Sequence, residues 1–370
     1  MSGLQLISSA PAPPSTSISD SEVGGHEPII SPPPPIHLRV VYFLSIWTFK
    51  SLINTGLFLR RNLTRPPASQ VRPIVKTYSI RPKLKNRIFF PPALNSPSSP
   101  NDEQSHKYPL YISIHGGGFA AASPDADDEF CSHICVKNNI IVAALDYRKS
   151  PTYKFPFAIT DISELVSALL SDSSLPIDSS KVAIGGFSAG GNLAFAACQT
   201  EELRGKVSAV LGFYPALDMS ESRETKEARR PKGSDVPRDE VGWSAEFLDW
   251  GYVPPGQDRR DPLLSPRFAK KSELPKYVYL SGAEWDMLCW EAEDTAKSLV
   301  VDGEERMDVK GEGWDGWMQG GVRWECFRKR KHAFTHVKEW GRAREQERVK
   351  IVEELYDRVG KWLRNEVWIE

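Results

Sequence analysis

The chain has 370 residues, 40% of them hydrophobic and 26% charged, which is enough apolar material for one large domain with appendages. Its 47 basic and 48 acidic residues nearly balance, so no charge excess points to nucleic acid as a partner. The five cysteines are odd in number and scattered, which excludes a disulfide-dense secreted scaffold. Cys131 and Cys135 flank His133, but no second pair completes a four-ligand zinc site, and we predict no metal.

The N-terminal 35 residues are rich in Pro, Ser and Gly and end in the run Pro32–Pro35. A segment of this composition buries too little apolar surface to offset the entropy lost on ordering. We therefore predict that residues 1–35 are a disordered tail. The tail lacks the basic start and apolar stretch of a secretory signal, so a cytoplasmic location is expected.

Residues 36–65 are a mainly apolar segment with helical periodicity. One face collects Tyr42, Ile46, Phe49, Ile53 and Leu57. Two interpretations stay open: a helix packed over the main domain as part of a cap, or a membrane-associated helix. The second includes peripheral contact of residues 36–59 with the cytosolic face of a membrane. It also includes a true span, against which the central charge of Lys50 counts.

Residues 66–370 alternate between strand and helix signals, which predicts a doubly wound, mostly parallel sheet of the α/β class. Predicted strands include Leu110–His115, Val182–Gly186 and Tyr277–Ser281. Residues 218–260 interrupt the alternation with charges, prolines and aromatic side chains, so we interpret them as an insertion covering the carboxyl edge of the sheet. Residues 302–321 form a Gly- and charge-rich stretch to which no structure is assigned.

The pentapeptide Gly186-Phe187-Ser188-Ala189-Gly190 has the pattern G-x-S-x-G between a predicted strand and a predicted helix. A serine hydroxyl becomes a useful nucleophile only when a base takes its proton and the backbone presents it at the surface of a pocket. The sharp strand-to-helix turn presents the serine, and small neighbours let the two elements approach closely. Ser188 is therefore the predicted nucleophile.

A Gly-rich loop, His115-Gly116-Gly117-Gly118-Phe119, follows the apolar run Leu110–Ile114. Ester cleavage places negative charge on the carbonyl oxygen, which fixed N–H donors must stabilise. Gly116 and Gly117 are predicted to supply two such donors, and Ala189 a third. The spacing fits neither a dinucleotide-binding fingerprint nor a P-loop.

An acid and a histidine should follow the serine in that order. Asp286 comes directly after the strand Tyr277–Ser281 and is the predicted acid, with Glu284 as its nearest rival. Only two histidines follow Ser188. His332, shortly after the strand-like Val322–Phe327, is favoured as the base over His336.

With these motifs in place, the chain resembles the hormone-sensitive-lipase-like branch of the α/β hydrolases, which includes arylacetamide-deacetylase-like and many microbial esterases. The resemblance extends over roughly residues 75–365. The matching residues are His115-Gly116-Gly117-Gly118, Asp146-Tyr147-Arg148, Pro151, Phe155-Pro156, Asp161, Gly186–Ala194, Tyr214-Pro215, Asp261-Pro262, Asp286 and His332. It implies an eight-stranded sheet, a cofactor-free esterase, and a cap built from the N-terminal segment and the 218–260 insertion.

Three stretches depart from the family pattern. Phe187 stands where the family usually has an acidic residue before the serine, Arg148-Lys149-Ser150-Pro151-Thr152 replaces an Arg-Leu-Ala-Pro-Glu stretch, and residues 302–321 lengthen the interval between Asp286 and His332. None removes a catalytic group. The first and the third bear on which substrate is accepted and on the position of His332.

The predicted function is hydrolysis of a small-molecule carboxylic ester with a short or medium acyl group, such as an acetylated metabolite or a small lipid. Amide or formamide hydrolysis on the same machinery, and non-catalytic binding of a small ligand, are the alternatives; oligomeric state is left open. The residues predicted to contact substrate are Phe119, Phe187, Trp243, Phe247 and Tyr252.

Overall fold

Ten strands form one mixed sheet in the computed structural model, which describes residues 27–63, 70–95, 107–239, 241–301 and 303–369. The strands are β1 (Ile74–Tyr78), β2 (Arg81–Phe89), β3 (Tyr108–Ile114), β4 (Ile141–Leu145), β5 (Ile177–Phe187), β6 (Ala209–Phe213), β7 (Tyr277–Ala283), β8 (Met307–Gly311), β9 (Trp314–Gln319) and β10 (Val322–Phe327). Their order across the sheet is β1-β2-β4-β3-β5-β6-β7-β10-β9-β8. In this order, the six neighbouring strands β4, β3, β5, β6, β7 and β10 run parallel to one another, and the remaining neighbouring pairs are antiparallel.

Helices cover both faces of this sheet, which is why the central strands are apolar on both sides. The α-helices are α1 (Ile36–Leu63), α2 (Asp128–Asn138), α3 (Phe157–Leu170), α4 (Ala189–Cys198), α5 (Arg223–Ala228), α6 (Ala245–Tyr252), α7 (Cys289–Ser298) and α8 (Arg342–Trp362). Helices α3, α4 and α7 pack on one face, and α2 and α8 on the other. The predicted α/β-hydrolase fold, with its mostly parallel sheet, is confirmed.

The sheet has two strands more than the eight expected from the family resemblance. The residues of 302–321 that the structure describes contain the hairpin β8–β9, which continues the sheet beyond β10. Trp317 pairs with Trp324 and is buried, and a Cβ on Gly316 would lie 1.9 Å from the carbonyl oxygen of Trp324. This stretch therefore extends the sheet at the edge next to the strand that precedes His332.

The last nine residues of the predicted tail, 27–35, belong to the described part of the chain. Residues 27–35 have no regular secondary structure, and within them the Ile29 N–H donates to Asp258 Oδ1 at 3.0 Å and the Ile29 carbonyl accepts from Arg259 N at 2.9 Å. These hydrogen bonds satisfy the backbone where composition alone predicts none. The rest of the predicted tail, residues 1–26, lies outside the described residues.

Helix α1 packs against α6 of the 218–260 insertion, the arrangement expected of a two-part cap. Ile46 is fully buried against Ala120 and Phe247. A Cβ on Gly251 would lie 2.3 Å from Ile46 Cδ1, so the glycine makes room for this contact. Polar contacts add to it, since Lys50 Nζ donates to the Ser150 carbonyl at 2.7 Å.

A buried ion pair ties the insertion to the main domain. Lys226 on α5 lies 2.5 Å from Glu291 on α7, and both side chains are buried. Glu291 also accepts the N–H groups of Leu217 and Asp218. Burial raises the pKa of Glu291 to about 7, although the nearby Lys226 lowers it.

Candidate active site

Ser188 lies at the turn between β5 and α4, at the carboxyl edge of the sheet. Its backbone has φ 53° and ψ −119°, a conformation that an L-residue rarely adopts. The turn is tight enough to need glycines: a Cβ on Gly190 would lie 2.0 Å from the Ile114 carbonyl oxygen, and one on Gly186 2.4 Å from the same atom. The sequence therefore folds here as a strained elbow that presents the serine hydroxyl.

The structure brings together the three residues predicted to act as a triad. His332 Nε2 lies 2.9 Å from Ser188 Oγ, and His332 Nδ1 lies 2.6 Å from Asp286 Oδ2. Asp286 is buried, and its Oδ1 accepts the Leu288 N–H at 3.0 Å. The ring edge of Tyr214 packs against the imidazole at 5.0 Å between centroids. These contacts orient a base toward the serine and an acid toward the base.

The two rival residues make other contacts. His336 bonds through Nε2 to Asp127 Oδ1 at 3.0 Å and through Nδ1 to the Tyr214 hydroxyl at 3.1 Å, in the face of the sheet covered by α2 and α8. Glu284 accepts the Lys329 N–H at 2.8 Å and pairs with Arg328, which fixes the turn after β10. Neither replaces a member of the Ser188 arrangement.

The Gly-rich loop after β3 lies beside the serine. A Cβ on Gly116 would lie 2.9 Å from the Phe187 carbonyl oxygen and 3.5 Å from Ser188 Cβ, so only glycine allows this approach. Gly117 has φ +107°, and no described backbone hydrogen bond uses the N–H of Gly116 or Gly117. Ala189 is the first residue of α4, where an N–H has no intrahelical acceptor. The three predicted donors thus stand around the nucleophile.

A second layer of residues holds this loop in place. The His115 ring stacks on Tyr147 at 4.5 Å, and the Tyr147 hydroxyl donates to the His115 carbonyl at 3.2 Å. Burial raises the pKa of Asp146, but His115 and Lys149 outweigh it and bring that pKa to about 2. Asp146 and Tyr147 of the matched Asp-Tyr-Arg stretch therefore hold the loop in position.

Two residues of the insertion hold the backbone on either side of Asp286, and sequence reasoning missed both. Arg230 donates from Nε at 2.9 Å and from Nη2 at 2.7 Å to the Trp285 carbonyl. Asp239 accepts the Met287 N–H at 2.8 Å and pairs with Arg230 at 3.2 Å. Burial, and then the charge of Asp286, raise the pKa of Asp239.

Replacing Asp239 with Asn is expected to move the acidic limb of the kcat/KM pH profile to lower pH by roughly half a unit to one unit. The carboxylate adds negative charge near the Asp286–His332 pair, so its removal makes protonation of His332 less favourable. The measurement is a pH profile of ester hydrolysis, with Asp235→Asn, an exposed change in the same insertion, as control. An unmoved limb would mean that Asp239 acts only on folding.

A cavity of about 770 Å³ opens from Ser188 and Ala189 toward the cap. The apolar part of its lining includes Phe119, Met219, Leu248, Tyr252, Met287 and Leu288. Exposed charged residues of the cap, Arg39, Glu224 and Glu246, line its outer part, together with residues 31–34. A site of this size and lining suits an apolar organic molecule.

Two of the five residues predicted to contact substrate line this cavity. Phe119 and Tyr252 stack on each other at 3.8 Å between centroids and form part of its wall. Phe187 does not line it: successive residues point to opposite sides at the end of a strand, and its 2%-exposed ring packs against Phe213 in the core.

The other two predicted contacts, Trp243 and Phe247, lie in the cap but not in the cavity wall. Phe247 is buried against Ile46 of α1, and Trp243 is 56% exposed at the outer side of that contact. Both serve the packing of α1 on α6. Their aromatic character correctly indicated that they belong to the cap, but it did not show which side chains face Ser188.

Within the described ranges, no group of three or more His, Cys, Asp and Glu side chains has a geometry that could hold a metal ion. Cys131 and Cys135 lie on the buried side of α2 in the apolar core, where burial raises the pKa of both thiols.

Comparison with known proteins agrees with this fold. Residues 111–314 match the sequence pattern of a family described as having the alpha/beta hydrolase fold. An AB hydrolase superfamily protein of Schizosaccharomyces pombe is 28% identical over 265 residues, which are 67% of this chain and 75% of the yeast protein. An ethyl acetate hydrolase of Pseudomonas putida is 31% identical over 202 residues. That match covers 51% of this chain and 59% of the bacterial protein, less than two thirds of its length.

Solved structures give the same fold. A hyperthermophilic esterase from the archaeon Pyrobaculum calidifontis aligns with a TM-score of 0.64 and 21% identity. The alignment covers 90% of this chain and 98% of the archaeal one.

Proposed function

Because the chain belongs to the hormone-sensitive-lipase-like branch of the α/β hydrolases, a carboxylesterase family, we propose that it hydrolyses small apolar carboxylic esters through an acyl-serine intermediate. The observation that carries this proposal is the hydrogen-bonded series Ser188–His332–Asp286 beside three backbone N–H groups. An activated nucleophile next to an oxyanion site is the equipment that acyl transfer requires.

In the first half-reaction, Ser188 Oγ attacks the ester carbonyl carbon while His332 Nε2 accepts the hydroxyl proton. Asp286 keeps the imidazole in the tautomer with the proton on Nδ1 and stabilises the imidazolium. The N–H groups of Gly116, Gly117 and Ala189 bind the oxyanion. His332 then returns the proton to the alcohol oxygen as the carbon–oxygen bond breaks and the alcohol leaves.

In the second half-reaction, water takes the place of the alcohol. His332 removes a proton from the water as its oxygen attacks the acyl carbonyl carbon, and the same N–H groups bind the second oxyanion. Collapse of this intermediate breaks the bond to Ser188 Oγ, which recovers its proton from His332. The products are a carboxylic acid and an alcohol, and no cofactor takes part.

Substrate size and polarity follow from the cavity. Its volume of about 770 Å³ exceeds what an acetyl group alone would fill, and Phe119, Leu248 and Tyr252 offer apolar contact close to the serine. We therefore assign short or medium acyl esters whose combined acyl and alcohol parts are apolar, which includes acetylated metabolites and small lipids.

The first test is covalent labelling. The purified protein is treated with a fluorophosphonate, and the adduct is located by peptide mass. Ser188 should be labelled in the native chain and not in Ser188→Ala, because phosphonylation needs the serine oxygen to be activated by its base.

Turnover then separates the alternatives. We expect p-nitrophenyl esters to be hydrolysed with a preference for short or medium acyl chains, and the matched anilides much more slowly. Faster turnover of the anilides would make the protein an amidase. A folded protein, checked by circular dichroism, that is neither labelled nor active on either series would instead be a ligand-binding member of the fold.

A further inference from the structure

Helix α1 carries a large apolar surface that no part of the described chain covers. Among the residues that the structure describes, 24 large hydrophobic side chains are exposed, and eleven of them belong to this one helix. They include Val40, Phe43, Leu44, Trp47, Leu52 and Phe58, with Phe43, Leu44 and Trp47 exposed by 49%, 60% and 42%. Single exposed apolar side chains are ordinary on protein surfaces, but a continuous group of this kind marks a contact surface.

The opposite side of α1 is fixed to the protein. Ile46 is buried, Lys50 Nζ donates to the Ser150 carbonyl, and Asn54 Oδ1 accepts the Ala122 N–H at 3.1 Å. The helix is long and apolar enough to cross a bilayer. While it makes these contacts it lies along the domain, and hydrocarbon could not surround it. The exposed apolar side of α1 therefore suits a membrane on which the helix lies, and not one that the helix crosses.

The charge of α1 favours a particular occupant. Its 28 residues include four Lys or Arg and no Asp or Glu. Lys50 is bonded to the domain, whereas Arg39, Arg60 and Arg61 are exposed. Apolar side chains on one side, combined with basic and no acidic residues, are the features of helices that lie in the headgroup region of an anionic membrane. A second copy of the same basic helix would meet like charge.

The exposed surface also adjoins the cavity. Arg39 and Tyr42, in the first two turns of α1, line the cavity that leads to Ser188, and residues 31–34 before the helix line it as well. A surface on which α1 rests would therefore lie close to the route by which an apolar molecule enters.

We propose that the protein binds an anionic lipid surface peripherally through the exposed side of α1, with Phe43, Leu44 and Trp47 inserted at the boundary between the lipid headgroups and the acyl chains. Binding brings the cavity to the membrane, so that an ester dissolved in the lipid reaches Ser188 without crossing water. This last consequence rests on the proposed esterase function, whereas the docking itself does not.

The test is co-sedimentation of the full chain with vesicles of phosphatidylcholine containing about one third phosphatidylserine, a composition chosen for its negative surface. The variant Phe43→Ser/Leu44→Ser/Trp47→Ser should bind at least tenfold less, since three apolar anchors are lost. The matched control Val337→Ser/Trp340→Ser removes exposed apolar side chains outside α1 and should bind like the native chain.

Charge is tested separately by Arg61→Glu, which keeps the apolar side intact. Binding to the anionic vesicles should fall at least about fivefold, and raising the salt concentration should weaken binding of the native chain. This variant also decides the matter if the triple variant does not fold.

Three results would overturn the proposal. They are equal sedimentation of the native chain and the triple variant, a native dimer in solution that the triple variant loses, and retention on membranes after carbonate extraction, which indicates a span. Activity on p-nitrophenyl acetate without vesicles separates this proposal from the enzymatic one. An unbound but active protein contradicts only docking, and a bound but inactive one contradicts only the esterase function.

Discussion

Replacing His332 with Asn is expected to lower kcat for ester hydrolysis by about 10⁴-fold or more, with little change in the free energy of unfolding. Without the imidazole, no group at 2.9 Å from Ser188 Oγ can take its proton. The side chain is only partly buried, and its hydrogen bonds to Ser188 and Asp286 serve the site, so we expect the fold not to depend on it. The measurement is single-turnover kinetics with a p-nitrophenyl ester.

The matched variant is His336→Asn, the same change at the second histidine after Ser188. It breaks the bonds to Asp127 and Tyr214, so we expect a loss of about 1–3 kcal/mol in unfolding free energy, and kcat reduced by less than about tenfold. If the two variants exchanged these effects, His336 would be the base and the contacts of His332 would need another explanation.

Replacing Glu291 with Ala is expected to reduce the free energy of unfolding by about 3–5 kcal/mol, measured by urea denaturation at pH 8. The change leaves the buried Lys226 ammonium without its partner and leaves two backbone N–H groups, of Leu217 and Asp218, without their acceptor. Glu293→Ala, on the same helix but in an exposed pair with Lys297, should change stability by less than about 0.5 kcal/mol.

Two further measurements distinguish a charge effect from lost packing. The double variant Lys226→Met/Glu291→Leu should recover much of the loss, since it removes both charges and fills the space. The native chain should lose stability as pH rises from the ordinary pKa of 4.5 to the folded value of about 7, because the folded protein retains a proton that the unfolded chain releases. A double variant as unstable as Glu291→Ala would mean that the loss comes from the two N–H groups without an acceptor and from packing, and not from the charge of Lys226.

The site was largely predictable because its parts follow the ends of parallel strands. Ser188, Asp286 and His332 come after β5, β7 and β10, and the carboxyl ends of such strands meet at one edge of a sheet. Local chemistry was enough to place each residue: glycines around a strained serine, and an acid and a histidine directly after apolar runs.

Prediction failed where contacts join distant parts of the chain. Arg230 and Asp239 lie in a charged insertion whose sequence gives no sign that it reaches the acid 47 residues beyond Asp239. The aromatic residues of that insertion cannot be distinguished by sequence alone. Only the fold shows that Tyr252 lines the cavity, whereas Phe247 packs against α1. The error at Phe187 has a different origin. Successive side chains of a strand point to opposite sides, so alternation alone predicts that Phe187 points away from the side that carries Ser188.

Arg230 and Asp239 of the insertion hold the backbone on both sides of Asp286. This double attachment limits how the protein can be engineered and how it can diverge in evolution. The segment that shapes the cavity is also the one that holds Trp285 and Met287 through Arg230 and Asp239. Exchanging residues 218–260 with those of a relative would therefore not transplant selectivity as a separate module. A chimera keeps a working acid only if the incoming segment brings its own equivalents of this arginine and aspartate, so selectivity and reactivity are inherited together.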